Sequence, residues 1–354
     1  MDLHILGGFL GSGKTTAIAS ALKVLLAQGR RIGVITNDKG RHMVDTAFLG
    51  MSGVPIAEVP GGCFRCNYGD FQERIAELQR EARPDVLFAE SVGSCVDLVG
   101  PVLTPLTALS LDGGPPRVTY TVFADIRLLR RYLAGLALPF SDNVVYIFAQ
   151  QLEEAGIVVA NKADLVSDEV GRTVMAQLSQ RFPKKALLLQ TSLTPDGVMP
   201  WLELLANPRP LPPALALDYG PYVAGAAELA WFDERLRFTP PSGQARATVV
   251  RVLDAILGGL RRENHPLAHL KVAVQDAAGL AKLSFTEPDG ADWQAAVPAL
   301  DGGGPVTLLV NARVQMEPGA LQALIAQALA DTLGRAGIAF TTTGPTAYAP
   351  QVPT

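Results

Sequence analysis

The first sixteen residues constrain this chain most: an apolar strand pattern at Leu3, Ile5 and Leu6 runs straight into Gly-Gly-Phe-Leu-Gly-Ser-Gly-Lys-Thr-Thr. Gly8, four residues, then Gly13, Lys14 and Thr15 is the spacing of a phosphate-binding loop, which needs a strand before it and a helix after it. Glycines let the backbone wind tightly enough to aim its N–H groups at the α- and β-phosphates. Lys14 then reaches the β- and γ-phosphates, and the Thr15 hydroxyl binds Mg²⁺. A helix over about 15–28 adds its N-terminal dipole to the same anion site.

Length and composition narrow the class. A chain of 354 residues predicts two domains, because one core seldom grows past about 250 to 300 residues. Hydrophobic residues make up 48% and charged residues 18%, enough apolar side chain for ordinary cores. A formal charge of −4 with mixed signs leaves no basic footprint for a nucleic acid. No apolar run approaches the ~18 residues of a membrane span, and no basic region precedes the first strand, so a cytoplasmic location is expected. Cys63, Cys66 and Cys95 are then reduced thiols open to a metal.

Residues 1–206 alternate short apolar runs with amphipathic ones, which predicts an α/β fold: a mainly parallel P-loop NTPase sheet with flanking helices. Strands are expected at 3–7, 31–36, 56–59, 86–89, 118–124, 157–160 and 186–190. A proline-rich linker follows at 207–221, since its prolines suit neither a central strand nor a helix interior. Residues 222–341 read as a smaller α+β domain with an antiparallel sheet, built from strands at 227–238, 268–274, 279–285 and 305–314 and helices at 247–263 and 318–336. A flexible tail is expected over 342–354.

A second nucleotide motif follows the strand at 157–160: Asn161, Lys162, Ala163, Asp164. A carboxylate there accepts both the N1–H and the N2–H₂ of guanine, whereas adenine offers no such donor pair. Thr191 and Ser192, after the next strand, stand where a G protein closes over the base, or form an ordinary turn. Between these motifs the strand at 86–89 ends in Glu90-Ser91-Val92-Gly93. Glu90 is placed to hold a Mg²⁺-bound water or orient the attacking one, and Gly93 to give its N–H to the γ-phosphate; a capping turn is the plainer alternative. Asp38, after the strand at 31–36, is a candidate for outer-sphere Mg²⁺ contact or an Asx turn, with Asp45 further along the same acidic edge. His42 reads as a solvated loop residue or a metal or γ-phosphate contact.

Cys63 and Cys66 are three apart after paired glycines, a spacing that lets two sulfurs meet one tetrahedral ion and that a thioredoxin-like pair also uses. Cys95 lies two residues past Gly93. All three cysteines follow strand ends, where the crevice of a parallel sheet opens. A three-thiolate site with one open position is the expectation; a small buried apolar role for Cys95 is the alternative.

With GGFLGSGKTT, Asn37-Asp38, Glu58 before GGCFRC, Glu90–Gly93, QLEEAGIVVANKADL and Trp231, the chain resembles the CobW-type GTPases, relatives of the UreG and HypB metallochaperones. The resemblance covers nearly the whole length. It implies a Mg²⁺-dependent GTPase that couples GTP binding and hydrolysis to delivery of a metal, Zn²⁺ or another transition metal, or of a metallocofactor to a client protein, and leaves room for a nucleotide-dependent homodimer. It assigns Gly8, Gly11, Ser12, Gly13, Lys14, Thr15 and Thr16 to phosphate and Mg²⁺, Glu90 to the Mg²⁺ and water region, and Asn161, Lys162 and Asp164 to guanine. The family's metal motif is Cys-x-Cys-Cys, and Arg65 stands where the middle cysteine would be. A GTPase gating a corrinoid or other cofactor enzyme without binding metal is the competing reading. A P-loop small-molecule kinase is a third, which has no need of Asn161–Asp164.

Overall fold

The computed structural model describes all residues except 39–43, 112, 208, 289–292, 301–303 and 351–354, and all their side chains except those of Asp38 and Pro60. Contacts divide the chain into two compact units. The first comprises 1–39 and 49–222; the second comprises 223–352 together with 40–48.

The first unit is a seven-stranded sheet in the order β3-β2-β4-β1-β5-β6-β7, every pair parallel. Its strands are β1 Asp2–Gly7, β2 Ile32–Asp38, β3 Ile56–Pro60, β4 Val86–Glu90, β5 Arg117–Asp125, β6 Ile157–Asn161 and β7 Ala186–Leu189. The central ones are buried on both faces and therefore read as continuous apolar runs: Leu3, Ile5, Phe88, Val122 and Val158 have almost no exposure. Helices α1 Lys14–Ala27, α3 Tyr68–Glu81, α5 Ile126–Leu133, α6 Asp142–Glu154, α7 Asp168–Arg181 and α8 Pro195–Ala206 connect or follow these strands, with a short α4 at Thr104–Leu106. Several start on local caps: Ser141, Ser167 and Thr194 each accept the backbone N–H three residues on, satisfying a donor that the first turn leaves free. The parallel arrangement brings the carboxyl ends of β1, β2, β4, β5 and β6 to one edge, where the motifs lie.

The second unit carries a five-stranded antiparallel sheet in the order β10-β9-β11-β8-β12, formed by β8 Leu229–Phe238, β9 Leu267–Asp276, β10 Gly279–Phe285, β11 Val306–Gln315 and β12 Phe340–Tyr348. Helices α10 Ala245–Arg262 and α11 Pro318–Leu329 supply Val249, Leu253, Ile256, Leu321 and Ile325 to a core shared with Phe232, Leu270, Leu308 and Val310.

Three expectations need correction. Residues 342–348 of the expected tail are not loose: they belong to β12, which pairs with β8 from Phe340↔Phe238 to Tyr348↔Trp231, while 351–354 lie outside the described residues. Thr341, Thr342 and Thr343 suit an edge strand, a signal masked by Gly344 and Pro345. The linker gives way to a helix, α9 Tyr219–Ala227. Finally, α2 at Val44–Gly50 was not anticipated, and its residues up to Phe48 group with the second unit.

Candidate functional site

The phosphate loop leaves β1 with Gly8, Gly11 and Gly13 at positive φ of 125°, 72° and 94°, a region that L side chains rarely enter. Space excludes a side chain as well: a Cβ on Gly8 would lie 2.1 Å from the Phe123 carbonyl, and one on Gly13 would lie 2.3 Å from Asn161 Nδ2. Lys14 is buried at the first turn of α1, and its Nζ donates to the Gly8 carbonyl at 2.7 Å, so its charge is held over the loop. Thr15 donates its hydroxyl to Glu90 Oε1 at 3.0 Å. This hydroxyl and carboxylate form an oxygen pair of the kind Mg²⁺ takes. Both are buried, and Glu90 reaches the loop because β4 pairs with β1 in the register Leu6↔Glu90. Ser12 Oγ is buried without a hydrogen-bond partner, in keeping with a loop that serves a ligand. Thr16 follows, half-buried, on α1.

Gly93 lies in the turn after β4, where a Cβ would come within 2.7 Å of the Leu10 side chain; only glycine allows this turn to pack on the phosphate loop. Gln151, on α6, donates to the carbonyls of both Gly93 and Cys95 at 2.9 Å. This link between the Glu90–Gly93 signature and a cysteine was missed in the sequence, because a polar residue in an amphipathic helix carries no mark of its buried partners.

The base motif is joined to the same loop. Asn161 Nδ2 donates to the Ser12 carbonyl at 2.8 Å, and its Oδ1 accepts from Ser192 Oγ at 2.8 Å. Ser192 is also reached by Gln190, and its carbonyl accepts from Ser20 of α1. Lys162 adopts φ 65° and pairs with Asp125 at 2.9 Å. Asp164 accepts from Thr191 Oγ1 at 2.6 Å, so the 191–192 turn and the Asp164 carboxylate are neighbours. Asp125 was not anticipated; burial works to raise its pKa, but the Arg127 and Lys162 charges hold it low. A carboxylate closing an apolar strand directly before a helix was the available signal.

Around the cysteines, Cys63 and Cys95 are buried and Cys66 is exposed. The Cys63 thiol is in hydrogen-bonding reach of both others. Its bond with Cys66 favours ionisation, but the bond with Cys95, burial and the Cys95 charge together push it up to about 12. Arg65 Nε lies 3.5 Å from Asp97 and its guanidinium sits over the Tyr219 ring, whose hydroxyl donates to Asp97. Tyr222 is buried; burial and the charges of Cys95, Cys63 and Cys66 raise its pKa. Among the described residues no three His, Cys, Asp or Glu side chains are gathered in a metal-holding arrangement.

The Asp38 side chain and the whole of His42 lie outside the described residues. Asn37 donates to the Val59 and Gly62 carbonyls, bracing the glycines before Cys63. A surface concavity lined by Glu58, Asp70, Arg74 and Glu77 contains none of the motif residues except Glu58. No helix among the described residues is long and apolar enough to cross a membrane.

The family model "CobW/HypB/UreG, nucleotide-binding domain" matches residues 2–190. The zinc chaperone YeiR of Escherichia coli is 34% identical over 176 residues, 47% of this chain and 48% of YeiR. The zinc chaperone CobW of a Sinorhizobium species is 29% identical over 207 residues, 52% of this chain and 57% of that one. The chain thus spans about half the length of the curated relatives it matches. The crystal structure of HypB from Helicobacter pylori in complex with nickel aligns with 58% of this chain and 86% of its own, at 18% identity and a TM-score of 0.41. With a family model covering more than half of its residues, this chain belongs to the CobW/HypB/UreG family through its nucleotide-binding domain.

Proposed function

We propose that the protein is a GTP-hydrolysing metallochaperone that couples its nucleotide state to delivery of a thiol-bound metal, or of a metallocofactor, to a client protein. The observation that carries the reading is the hydrogen-bonded chain from Ser12 through Asn161 to Ser192, with Thr191 on Asp164 alongside, because it joins a phosphate loop and a guanine-reading carboxylate in one site. Gly8, Gly11, Gly13 and Lys14 cradle the phosphates, and Thr16 extends the anion site along the first turn of α1. Thr15 and Glu90 would hold Mg²⁺, which would supply charge neutralisation for the phosphates. In this reading Glu90 also orients the attacking water, and Gly93 gives its N–H to the γ-phosphate. Asp38 is retained as the outer-sphere candidate.

The cargo is assigned to Cys63, Cys66 and Cys95. The reach of the Cys63 thiol to both other sulfurs supports this, as does the zinc-chaperone function named for the relatives. Three thiolates with one open position suit Zn²⁺ or a similarly soft ion that must be handed on. The competing reading is a GTPase that gates a cofactor enzyme without binding metal.

The deciding experiment is equilibrium metal binding by reduced protein with and without a non-hydrolysable GTP analogue, run beside GTP turnover. Zn²⁺ bound more tightly with the analogue, and weakened in Cys95→Ser, is the expected result. GTP turnover with no transition metal bound in either state selects the competing reading. Transfer of phosphate to an added acceptor in place of water selects a kinase.

A further inference from the structure

Residues 44–48 belong by their contacts to the second unit, although in sequence they lie between two strands of the first. The contacts that hold them are specific. Val44 N–H donates to Asn311 Oδ1 of β11 at 3.2 Å, satisfying one of the donors that a helix start leaves free. The Asp45 carboxylate is gripped from two adjacent strands: by Lys271 of β9, and by Lys282 of β10 at 2.6 Å. Lys282 also sits over the Phe48 ring at 5.0 Å. Asp45, Lys271 and Lys282 all have side chains at or below 15% exposure. A carboxylate so enclosed is stable only with compensating charge at contact distance. Burial alone would raise its pKa, and the two lysines hold it well below the ordinary carboxylate range.

This clasp holds a segment only six residues beyond Asp38, the residue the functional reading places near Mg²⁺. The second unit thus holds the chain, through Asp45, close in sequence to the residue that the nucleotide is proposed to engage. We propose that Asp45, Lys271, Lys282 and Asn311 make the second unit a sensor of nucleotide state: they hold α2 in the conformation described, and GTP with Mg²⁺ draws β2's end against that hold. The inference rests on the GTP-binding reading. By linkage, whatever weakens the clasp must tighten the GTP state relative to the GDP state.

The test measures affinities for GDP and for a non-hydrolysable GTP analogue in the full chain and in Asp45→Asn, Lys271→Met and Lys271→Arg. The ratio of GDP to analogue dissociation constants is expected to rise about fivefold or more in Asp45→Asn and Lys271→Met and to stay within twofold of wild type in Lys271→Arg. In wild-type protein, amide hydrogen exchange at Val44–Phe48 is expected to be faster with analogue than with GDP. A ratio that is unchanged or lowered, with both nucleotides still bound, overturns the clasp and leaves the GTPase reading standing. Wild-type protein that binds neither nucleotide overturns both. If a variant fails to fold, the wild-type exchange decides: equal protection of Val44–Phe48 in the two states overturns the proposal.

Discussion

The side-chain amide of Asn161 donates to the carbonyl of Ser12 at 2.8 Å, across 149 residues of sequence. Two motifs that look independent along the chain are one object in space, and each depends on the other for its shape. Asn161→Ala leaves the Ser12 carbonyl and the Ser192 hydroxyl without this partner. A loss of about 1–3 kcal/mol in stability is expected, and with it at least tenfold weaker nucleotide binding. Thermal melts and nucleotide titration check the two effects separately.

Lys14→Ala removes the one lysine of the loop, the cation proposed to meet the phosphates. Nucleotide affinity should fall a hundredfold or more, while the fold, whose core does not include this side chain, keeps its melting temperature within a few degrees. Retained tight binding would refute the loop assignment.

Asp164→Asn exchanges an acceptor pair for one acceptor and one donor. Preference is expected to move from GTP towards xanthosine triphosphate, by tenfold or more in the ratio of affinities. Competition between the two nucleotides reads this directly.

Gly93→Ala introduces a Cβ within 2.7 Å of the Leu10 side chain and 3.0 Å of its Cα. Because part of that contact is backbone, the turn or the loop must shift. The expected outcome is GTP turnover reduced at least tenfold with GDP affinity changed much less, as read by steady-state kinetics beside equilibrium binding.

Glu154 supplies a pH test. It accepts from the backbone N–H groups of Leu98 and Val99, and burial raises its pKa from 4.5 to about 7. The folded state therefore prefers the protonated acid, so this group's contribution to stability is full below about pH 4.5 and is lost as pH rises through 7. The shift corresponds to about 3 kcal/mol. His4 works the other way. Burial lowers its pKa to about 4, so it destabilises the fold as pH falls through the range below 6.5. The difference between wild type and Glu154→Gln isolates the glutamate: the variant should be the more stable by up to about 3 kcal/mol at pH 8 and lose that advantage by pH 4.5. Denaturant unfolding at the two pH values measures it.

Much of this molecule was legible in the sequence because its signals are local. Apolar runs of four to nine residues bounded by glycine or a charge placed all seven strands of the first sheet within about two residues. Gly8, Gly13 and Lys14 declared a loop whose backbone geometry permits few other residues. Thr341–Thr343 and α2 were illegible for a different reason. The first run is interrupted by Gly344 and Pro345, and the second is a seven-residue helix whose residues up to Phe48 take their contacts from the second unit.

By itself, the sequence determined that a phosphate loop opens a parallel sheet, that an Asn-Lys-x-Asp motif follows a later strand, and that three thiols lie beyond strand ends. These are consequences of residue type and spacing over a few positions. Tertiary structure alone decided that Asn161 braces the phosphate loop, that Gln151 links Gly93 to Cys95, that the Cys63 thiol comes within reach of Cys95, and that Asp45 belongs to two lysines more than 200 residues away. Each is a hydrogen bond or charge pair between residues distant in sequence. Its partners are chosen by strand order and burial, where an unsatisfied polar group costs more than any local preference contributes.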